Sequence, residues 1–286
     1  MNEEYTILMP IYGHTEFADL AVRSIQKNAR LPHRLIFVVE PKDEEAVREW
    51  AKRTKASLPC PSEFIFNAER LGYYGSVNCG VRQCQTDVAV VFTSDQVAAP
   101  EWDRLLISHL APRRFVTGRL IESGANLIAD GNIWKNFGMT PEEFDEAGFE
   151  RFCAAYKCHK ALDVPRHYLP MAFHVEDFIA AGMFVAGKDS DAVSTYREDL
   201  YFFLRGVEKG YEMVEVQRPL TYHFQGGSRK GRFRMGFLNC IYPFGLKYVH
   251  RLATGYISLY DALVKTGARE TIRRIELAAS AAGQER

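Results

Sequence analysis

The segment 63–102 constrains the fold more than any other part of the chain. Two short apolar segments, ending at Phe66 and Phe92, flank a segment in which apolar residues recur at helical spacing. A strand, a helix and a second strand in this order predict a right-handed βαβ crossover. Ligands of open α/β sheets bind at the carboxyl ends of such strands. Polar and turn residues at these ends are therefore expected to face one crevice: Asn67, Gly72 and Asp95.

Asp95 has the clearest chemical meaning in this segment. It follows a fully apolar strand and precedes a helix that is predicted to open at Pro100. A carboxylate in this position can hold a divalent cation, and the cation in turn neutralises phosphates. Taken alone, however, Asp95 fits a helix cap or a turn residue as well. The rest of the chain has to decide between these roles.

The chain before this segment predicts two further pairs of strand and helix. Residues 5–10 form an apolar segment that turns through Tyr12 into a helix, and residues 35–39 form another that ends at Glu40. A carboxylate after the second strand of a nucleotide-binding half can accept hydrogen bonds from a ribose or a base. A solvated loop charge is the alternative for Glu40. An α/β fold is predicted on either interpretation.

The length and the composition fit one large α/β domain or two small ones. The chain of 286 residues is 47% hydrophobic, which is ample for a core. Lys plus Arg and Asp plus Glu number 36 each, so the net charge is zero. This balance argues against a general nucleic-acid binder, and we expect no nucleic-acid partner.

The amino terminus and the cysteines predict a cytoplasmic protein. The first ten residues begin acidic and then become a strand, unlike a signal peptide, and no apolar run reaches the length of a membrane span. The six cysteines lack CxxC pairs and zinc-ligand spacing, so free thiols in a reducing cytosol are expected. They are Cys60, Cys79, Cys84, Cys153, Cys158 and Cys240.

Four motifs occur in order along the first 110 residues or so: ILMPIYGHTEFADLAVRSI, LIFVVE, NAERLGYYGSVNCGV and VVFTSDQVAAPEW. In order and spacing they resemble the donor half of the family 2 glycosyltransferases, and the resemblance returns after residue 178. It implies a GT-A-like, Rossmann-like α/β fold with a mostly parallel mixed sheet flanked by helices. It also implies inverting transfer of a sugar from a UDP- or GDP-linked donor, usually with Mg²⁺ or Mn²⁺.

The resemblance assigns roles to residues of the donor half. Gly72 belongs to a loop that lets the backbone approach the donor, with a turn as the alternative. Where the family commonly has Asp-x-Asp, this chain has Thr93-Ser94-Asp95, so Asp95 remains as the metal ligand. The nucleoside would be surrounded by Pro10, Tyr12, Glu40, Asn67 and Thr93.

The resemblance also assigns the catalytic residues. Glu198 and Asp199 lie in the first turn of a predicted helix, where the helix dipole alone would favour anions. The family's Glu-Asp motif makes Asp199 the catalytic base, and Glu198 would orient the acceptor or the helix end. His223 would complete the metal site, although a packed core histidine is the alternative. Arg229 would close over the diphosphate, or lie in a solvated basic loop.

The middle of the chain is less informative. Thr140-Pro141-Glu142-Glu143 forms a capping box with proline at the first helical position, so a helix is predicted to start there. Trp134 and Phe137 could stack on a sugar, with core packing favoured for each. No acceptor residue is named from residues 119–177.

The predicted organisation is a catalytic domain, 1–231, divided into a donor half, 1–118, and an acceptor half, 119–231. A helical, aromatic and basic extension follows at 232–286. It could pack on the domain, form a homodimer or lie on a membrane at its cytoplasmic face, and internal packing comes first.

The predicted function is an inverting glycosyltransferase of glycan or polysaccharide biosynthesis. Its acceptor would be a glycan, a lipid-linked sugar or another hydroxyl compound. Because the first Asp of the motif is missing, a catalytically impaired nucleotide-sugar-binding protein is the alternative.

Overall fold

The computed structural model describes residues 4–123, 133–158, 162–163, 169–184, 202–203, 205–206 and 209–224. Within these ranges no helix combines the length and the apolar character that a bilayer span requires. Several predictions lie outside the described residues: Glu198, Asp199, Arg229, Cys240 and the extension 232–286.

The described chain begins with three pairs of strand and helix. They are β1 (Tyr5–Ile11), α1 (Thr15–Asn28), β2 (His33–Val39), α2 (Glu44–Ser57), β3 (Ser62–Phe66) and α3 (Gly72–Arg82). The elements that follow are β4 (Val88–Val91), β5 (Gln96–Ala98), α4 (Trp102–Ile107), β6 (Arg114–Glu122), β7 (Ile133–Trp134), α5 (Glu146–Ala155), β8 (Leu162–Asp163), β9 (Met171–His174), α6 (Val175–Ala181) and β10 (Glu212–His223).

One mixed sheet organises these elements. Its strand order is β3-β2-β1-β4-β9-β6-β10-β5, with β7 beside β6 and β8 beside β10. The first four strands run parallel, and β6 runs parallel to β10. In contrast, β9 runs antiparallel to β4 and β6, and β5 runs antiparallel to β10. The predicted mostly parallel, mixed sheet flanked by helices is confirmed.

The strand β1 joins the two main layers of the core. All seven of its residues are buried, because helices cover both faces of this part of the sheet. Ile7 packs in the cluster that α1, α2 and α4 share, and Leu8 packs in the cluster that α3 and α6 share. Successive side chains of a strand point to opposite faces. A continuous apolar run therefore fills both layers.

A third apolar cluster covers the ends of β6 and β10. Phe149 of α5 packs there against Phe137 and Tyr222. Phe137 is only 5% exposed, so the core role favoured for it is confirmed. This cluster holds the strand ends that carry the candidate site.

The helix α5 begins later than its sequence predicts. Residues 141–143 form a turn, and the helix begins at Glu146. The carboxylate of Asp145 accepts the backbone N–H of Gly148 at 2.8 Å and caps the helix. The start predicted at Thr140 is therefore wrong, because Asp145 supplies the better placed acceptor.

A buried carboxylate ties α4 to the start of the sheet. Asp103 is fully buried and accepts the backbone N–H groups of Arg30 and Leu31 at 2.8 to 2.9 Å. The hydroxyl of Tyr5 donates to it at 3.3 Å. Burial and the neighbouring Asp103 charge both raise the pKa of Tyr5, which keeps its proton as the donor.

We expect Asp103→Ala to lower the free energy of unfolding by about 2 to 4 kcal/mol, because it leaves the buried Tyr5 hydroxyl and two backbone N–H groups without their acceptor. Urea unfolding followed by circular dichroism measures this loss. Lys52→Ala, which changes an exposed side chain on α2, is the matched control. An Asp103→Ala protein as stable as this control would contradict the prediction.

Candidate active site

The carboxyl ends of β1, β2 and β3 bring together three residues predicted to contact a nucleoside. Tyr12, Glu40 and Asn67 each follow directly after one of these parallel, neighbouring strands. Pro10, in contrast, is buried within β1 and pairs with Val38. The edge thus presents three of the predicted residues, and a direct contact from Pro10 stays a prediction.

Glu40 holds the loop that follows β3. Its side chain is buried, so the alternative of a solvated loop charge is wrong. One carboxylate oxygen accepts Asn67 Nδ2 at 2.8 Å and the Ser76 hydroxyl. The other accepts the backbone N–H groups of Leu71 at 2.9 Å and Gly72 at 3.1 Å. A nucleoside would have to compete with these four donors, since a carboxylate accepts about four hydrogen bonds.

Gly72 stands where this loop enters α3. Its φ of +69° lies in the left-handed region that favours glycine. The residue can therefore turn the chain while its N–H still reaches Glu40. The turn considered for Gly72 is confirmed by this geometry, whereas its approach to the donor stays a prediction.

Two cationic side chains lie over the ring of Tyr12 at the same edge of the sheet. Its ring is 40% exposed. Lys42 Nζ lies 4.5 Å from the ring centroid, and the guanidinium carbon of Arg70 lies 4.6 Å from it. Cations over an aromatic face are attracted by its negative quadrupole. This contact concentrates positive charge beside the ends of β1 and β2, a feature that the sequence motifs did not indicate.

Asp95 and His223 meet across the sheet. Asp95 Oδ2 lies 3.5 Å from His223 Nε2, and each side chain is 24% exposed. Burial alone would raise the pKa of Asp95, but the charge of His223 lowers it to about 2. The predicted pair is thus adjacent and partly accessible, and the packed core role considered for His223 is wrong.

Glu122 is a third member of this group, and sequence reasoning missed it. It ends β6, directly in register with His223 on β10, and its Oε1 lies 3.3 Å from His223 Nδ1. Burial alone would lower the pKa of His223, but the carboxylates of Asp95 and Glu122 raise it to about 10. Both ring nitrogens therefore carry protons at neutral pH and point to carboxylates.

The pair of Asp95 and His223 offers two of the ligands that a transition metal needs. Imidazole nitrogen and carboxylate oxygen are suitable ligands for Mn²⁺, and the glutamate on the other ring nitrogen fixes the ring as in many metal sites. Among the described residues no group of three or more potential ligands is assembled. The remaining positions would be left to water and to phosphate oxygens of a substrate.

The fold places the chain in the GT-A-like class. The sequence profile of Glycosyl transferase family 2 matches residues 6–161, which is more than half of the chain. This protein belongs to that family.

Two solved structures share the fold. GalNAc-T7 with UDP, GalNAc and Mn²⁺ matches with a TM-score of 0.55 and 12% identity, over 77% of this chain and 44% of that one. This chain therefore spans less than half the length of GalNAc-T7. The mannosyltransferase PcManGT from Pyrobaculum calidifontis, in complex with GDP-Man and Mn²⁺, matches with a TM-score of 0.53 and 14% identity, over 99% and 76%. No curated protein sequence matches the chain.

The contact between Glu122 and His223 can be tested by metal binding. We expect Glu122→Ala to weaken Mn²⁺ binding about tenfold or more, because the imidazole loses the partner that orients it. Glu122→Gln, whose amide oxygen still accepts the Nδ1 proton, should weaken binding less. Titration calorimetry with MnCl₂ and UDP or GDP measures both.

Glu212→Ala is the matched control for this experiment. It removes an exposed carboxylate from the opposite end of β10, where Glu212 pairs with Arg114. Equal Mn²⁺ affinities for the three variants and the original protein would show that Glu122 does not orient His223.

Proposed function

We propose that this chain is an inverting glycosyltransferase that moves a sugar from a nucleoside diphosphate to an acceptor hydroxyl. The observation that carries the proposal is the meeting of Asp95 and His223 at the carboxyl edge of a family 2 sheet. Open α/β sheets bind their ligands at this edge. A carboxylate and an imidazole there suit a donor that brings its own phosphate oxygens.

The donor would lie along the edge from β3 to β10. Its nucleoside would lie near Tyr12 and Thr93, and its diphosphate near Asp95 and His223. The two similar structures contain UDP and GDP-Man, which supports a UDP- or GDP-linked donor. Lys42 and Arg70 would add positive charge beside the phosphates.

Asp95 and His223 would hold Mn²⁺, or Mg²⁺ less readily because Mg²⁺ prefers oxygen ligands. When bound, the cation supplies positive charge that stabilises the leaving diphosphate. Glu122 would keep the His223 ring in place. Arg229 would add a further positive charge over the diphosphate.

Asp199 would act as the general base. An acceptor hydroxyl is a poor nucleophile, so a carboxylate must take its proton while its oxygen attacks the anomeric carbon. The new bond forms on the face opposite the leaving diphosphate, whose bond to the anomeric carbon breaks, and the configuration inverts. Glu198 would orient the acceptor or the helix end.

Further features of the proposal combine the family resemblance with the composition of the chain. The chain would act in glycan or polysaccharide biosynthesis on the cytoplasmic side, with a donor half at 1–118 and an acceptor half at 119–231. The extension 232–286 would pack on this domain, or else form a dimer or contact a membrane that carries lipid-linked acceptors.

One observation favours a second candidate function. Thr93 stands where the family commonly has an aspartate, so the site has one carboxylate fewer. A catalytically impaired nucleotide-sugar-binding protein would keep donor binding and lack transfer to every acceptor.

The proposed role of Asp95 predicts that its substitution weakens metal binding and slows donor turnover. Asp95→Asn should weaken Mn²⁺ binding in the presence of UDP or GDP at least about tenfold and lower donor turnover to a similar extent, because a neutral amide binds a hard cation poorly. Glu49→Gln, on the exposed face of α2, is the matched control. Metal-independent turnover that survives Asp95→Asn would remove the cation from the proposal.

The role of Asp199 is tested separately from donor binding. Asp199→Asn should leave the affinity for UDP or GDP nearly intact and reduce sugar transfer at least about a hundredfold, the usual scale of a general base. Calorimetry measures the affinity, and product formation from a panel of UDP- and GDP-sugars measures transfer. Unchanged transfer would exclude Asp199 as the base, and donor binding without transfer by the original protein would favour the second candidate.

A further inference from the structure

Trp134 is the third tryptophan of the chain and differs from the other two. It is 38% exposed, whereas Trp50 and Trp102 are 1% and 0% exposed. Exposed tryptophans are enriched at binding interfaces, because the indole combines a large apolar ring with a polar N–H. The position of Trp134 in the sheet shows which site it serves.

Trp134 continues the row of residues to which His223 and Glu122 of the candidate metal site belong. His223 on β10 is in register with Gln96 on β5 and with Glu122 on β6. Glu122 is in turn in register with Trp134 on the parallel strand β7. Residues directly in register on neighbouring strands point to the same face of a sheet. Four strands therefore present one row on one face, from Gln96 to Trp134.

The packing of neighbouring residues supports this orientation. Ile133, next to Trp134 on β7, packs against the cluster under α5, as does Ile121, next to Glu122 on β6. Because successive side chains of a strand alternate between faces, Trp134 and Glu122 lie on the opposite face from this cluster. The backbone N–H of Lys135 donates to the Glu122 carbonyl at 3.1 Å and holds the two strand ends together.

The spacing of the strands places Trp134 near the proposed metal ligands Asp95 and His223 but not in contact with His223. Neighbouring strands lie about 4.8 Å apart, so the Cα atoms of Trp134 and His223 are separated by roughly 10 Å. A group on Trp134 would thus lie next to a diphosphate at Asp95 and His223. In the proposed reaction the donor sugar is bonded directly to that diphosphate, and the acceptor approaches the opposite face of the donor sugar. A ring on Trp134, separated from the metal site by one further strand, therefore corresponds to the acceptor.

We propose that Trp134 is the stacking platform for a sugar ring of the acceptor, which makes the acceptor a glycan. The face of an indole ring is negative, and the C–H bonds on one face of a pyranose ring present weak positive charge to it. An aromatic wall beside a few convergent polar groups is also the usual form of a small-molecule site. This inference rests on the proposed function and names its substrate class.

A nucleobase is the other flat ligand available to this enzyme, and the strand order argues against it. Three of the residues predicted for the nucleoside follow β1, β2 and β3, and Thr93 follows β4. The strand β9 lies between β4 and β6, and Trp134 lies on β7 beside β6. A base at Tyr12 and a second ring at Trp134 would therefore occupy different parts of the edge.

Acrylamide quenching of fluorescence tests the platform directly, since only one of the three tryptophans is exposed. The probes are maltose, cellobiose, mannobiose and chitobiose, each added with MnCl₂ and UDP or GDP. At least one of them should protect Trp134 from acrylamide. Protection by none of them would overturn the inference, while hydrolysis of UDP- or GDP-sugars by the same protein would leave the proposed function intact.

Substitution of Trp134 tests its role in transfer. For the saccharide that protects it, Trp134→Ala should raise the acceptor KM about tenfold or more, Trp134→Phe should raise it less, and the donor KM should change less than twofold. Ile179→Ala, which removes another exposed apolar side chain on α6, is the matched control. A raised donor KM with an unchanged acceptor KM would overturn the inference.

A failure of the proposed function would give a different result. The original protein would then neither hydrolyse any UDP- or GDP-sugar of the panel nor transfer a sugar from it. The inference about Trp134 would be excluded at the same time. Loss limited to saccharide protection, with donor hydrolysis retained, counts against Trp134 alone.

Discussion

The pairing of β10 with β6 and β5 is the interaction on which the candidate site depends. It brings His223 between Gln96 and Glu122, although 101 residues separate His223 from Glu122 in the chain. A slip of one residue would turn His223 to the opposite face, as for any strand. Tyr222 prevents this slip, because its ring is buried among Phe137, Phe144 and Phe149. Apolar packing on one face of β10 thus orients the titratable group on the other.

The sequence could predict the parallel strands and the position of Asp95, but it could not predict Glu122. The register of β10 shifts between Val216 and Leu220: Val216 pairs with Gly118, whereas Leu220, four residues later, pairs with Arg119, only one residue later. Without this shift, His223 would be opposite a position three residues after Glu122. The partner of His223 therefore depends on an irregularity that no spacing of residue types indicates. A carboxylate at the end of β6 also looks like any charged residue beside a loop.

Glu40 and the start of α5 show a second limit of sequence reasoning. A carboxylate after β2 has the same sequence signature whether its hydrogen-bond donors come from a ligand or from the chain. In this structure the donors to Glu40 come from the chain: the backbone N–H groups of Leu71 and Gly72 point to its carboxylate at the left-handed turn of Gly72. Likewise, a capping box at Thr140 and a capping aspartate at Asp145 compete for one helix start, and the structure uses Asp145. Local patterns name the candidates, and tertiary contacts select among them.

Charge balance is consistent with the proposed binding of a cation and a diphosphate at a site with one aspartate fewer. A divalent cation that binds His223 would displace the proton from its Nε2. Asp95, Glu122 and the resulting neutral His223 would then carry two negative charges, which the cation neutralises without another carboxylate. A diphosphate bound there would then need cations from the chain, because unpaired charge is costly in a partly buried site. Lys42 and Arg70 lie over Tyr12 at the same edge, and each contact with its ring leaves the formal charge intact. Because Thr93 stands at the first position of the Asp-x-Asp motif, the site carries one negative charge fewer. Lys42 and Arg70 would therefore have less negative charge to offset when a diphosphate binds.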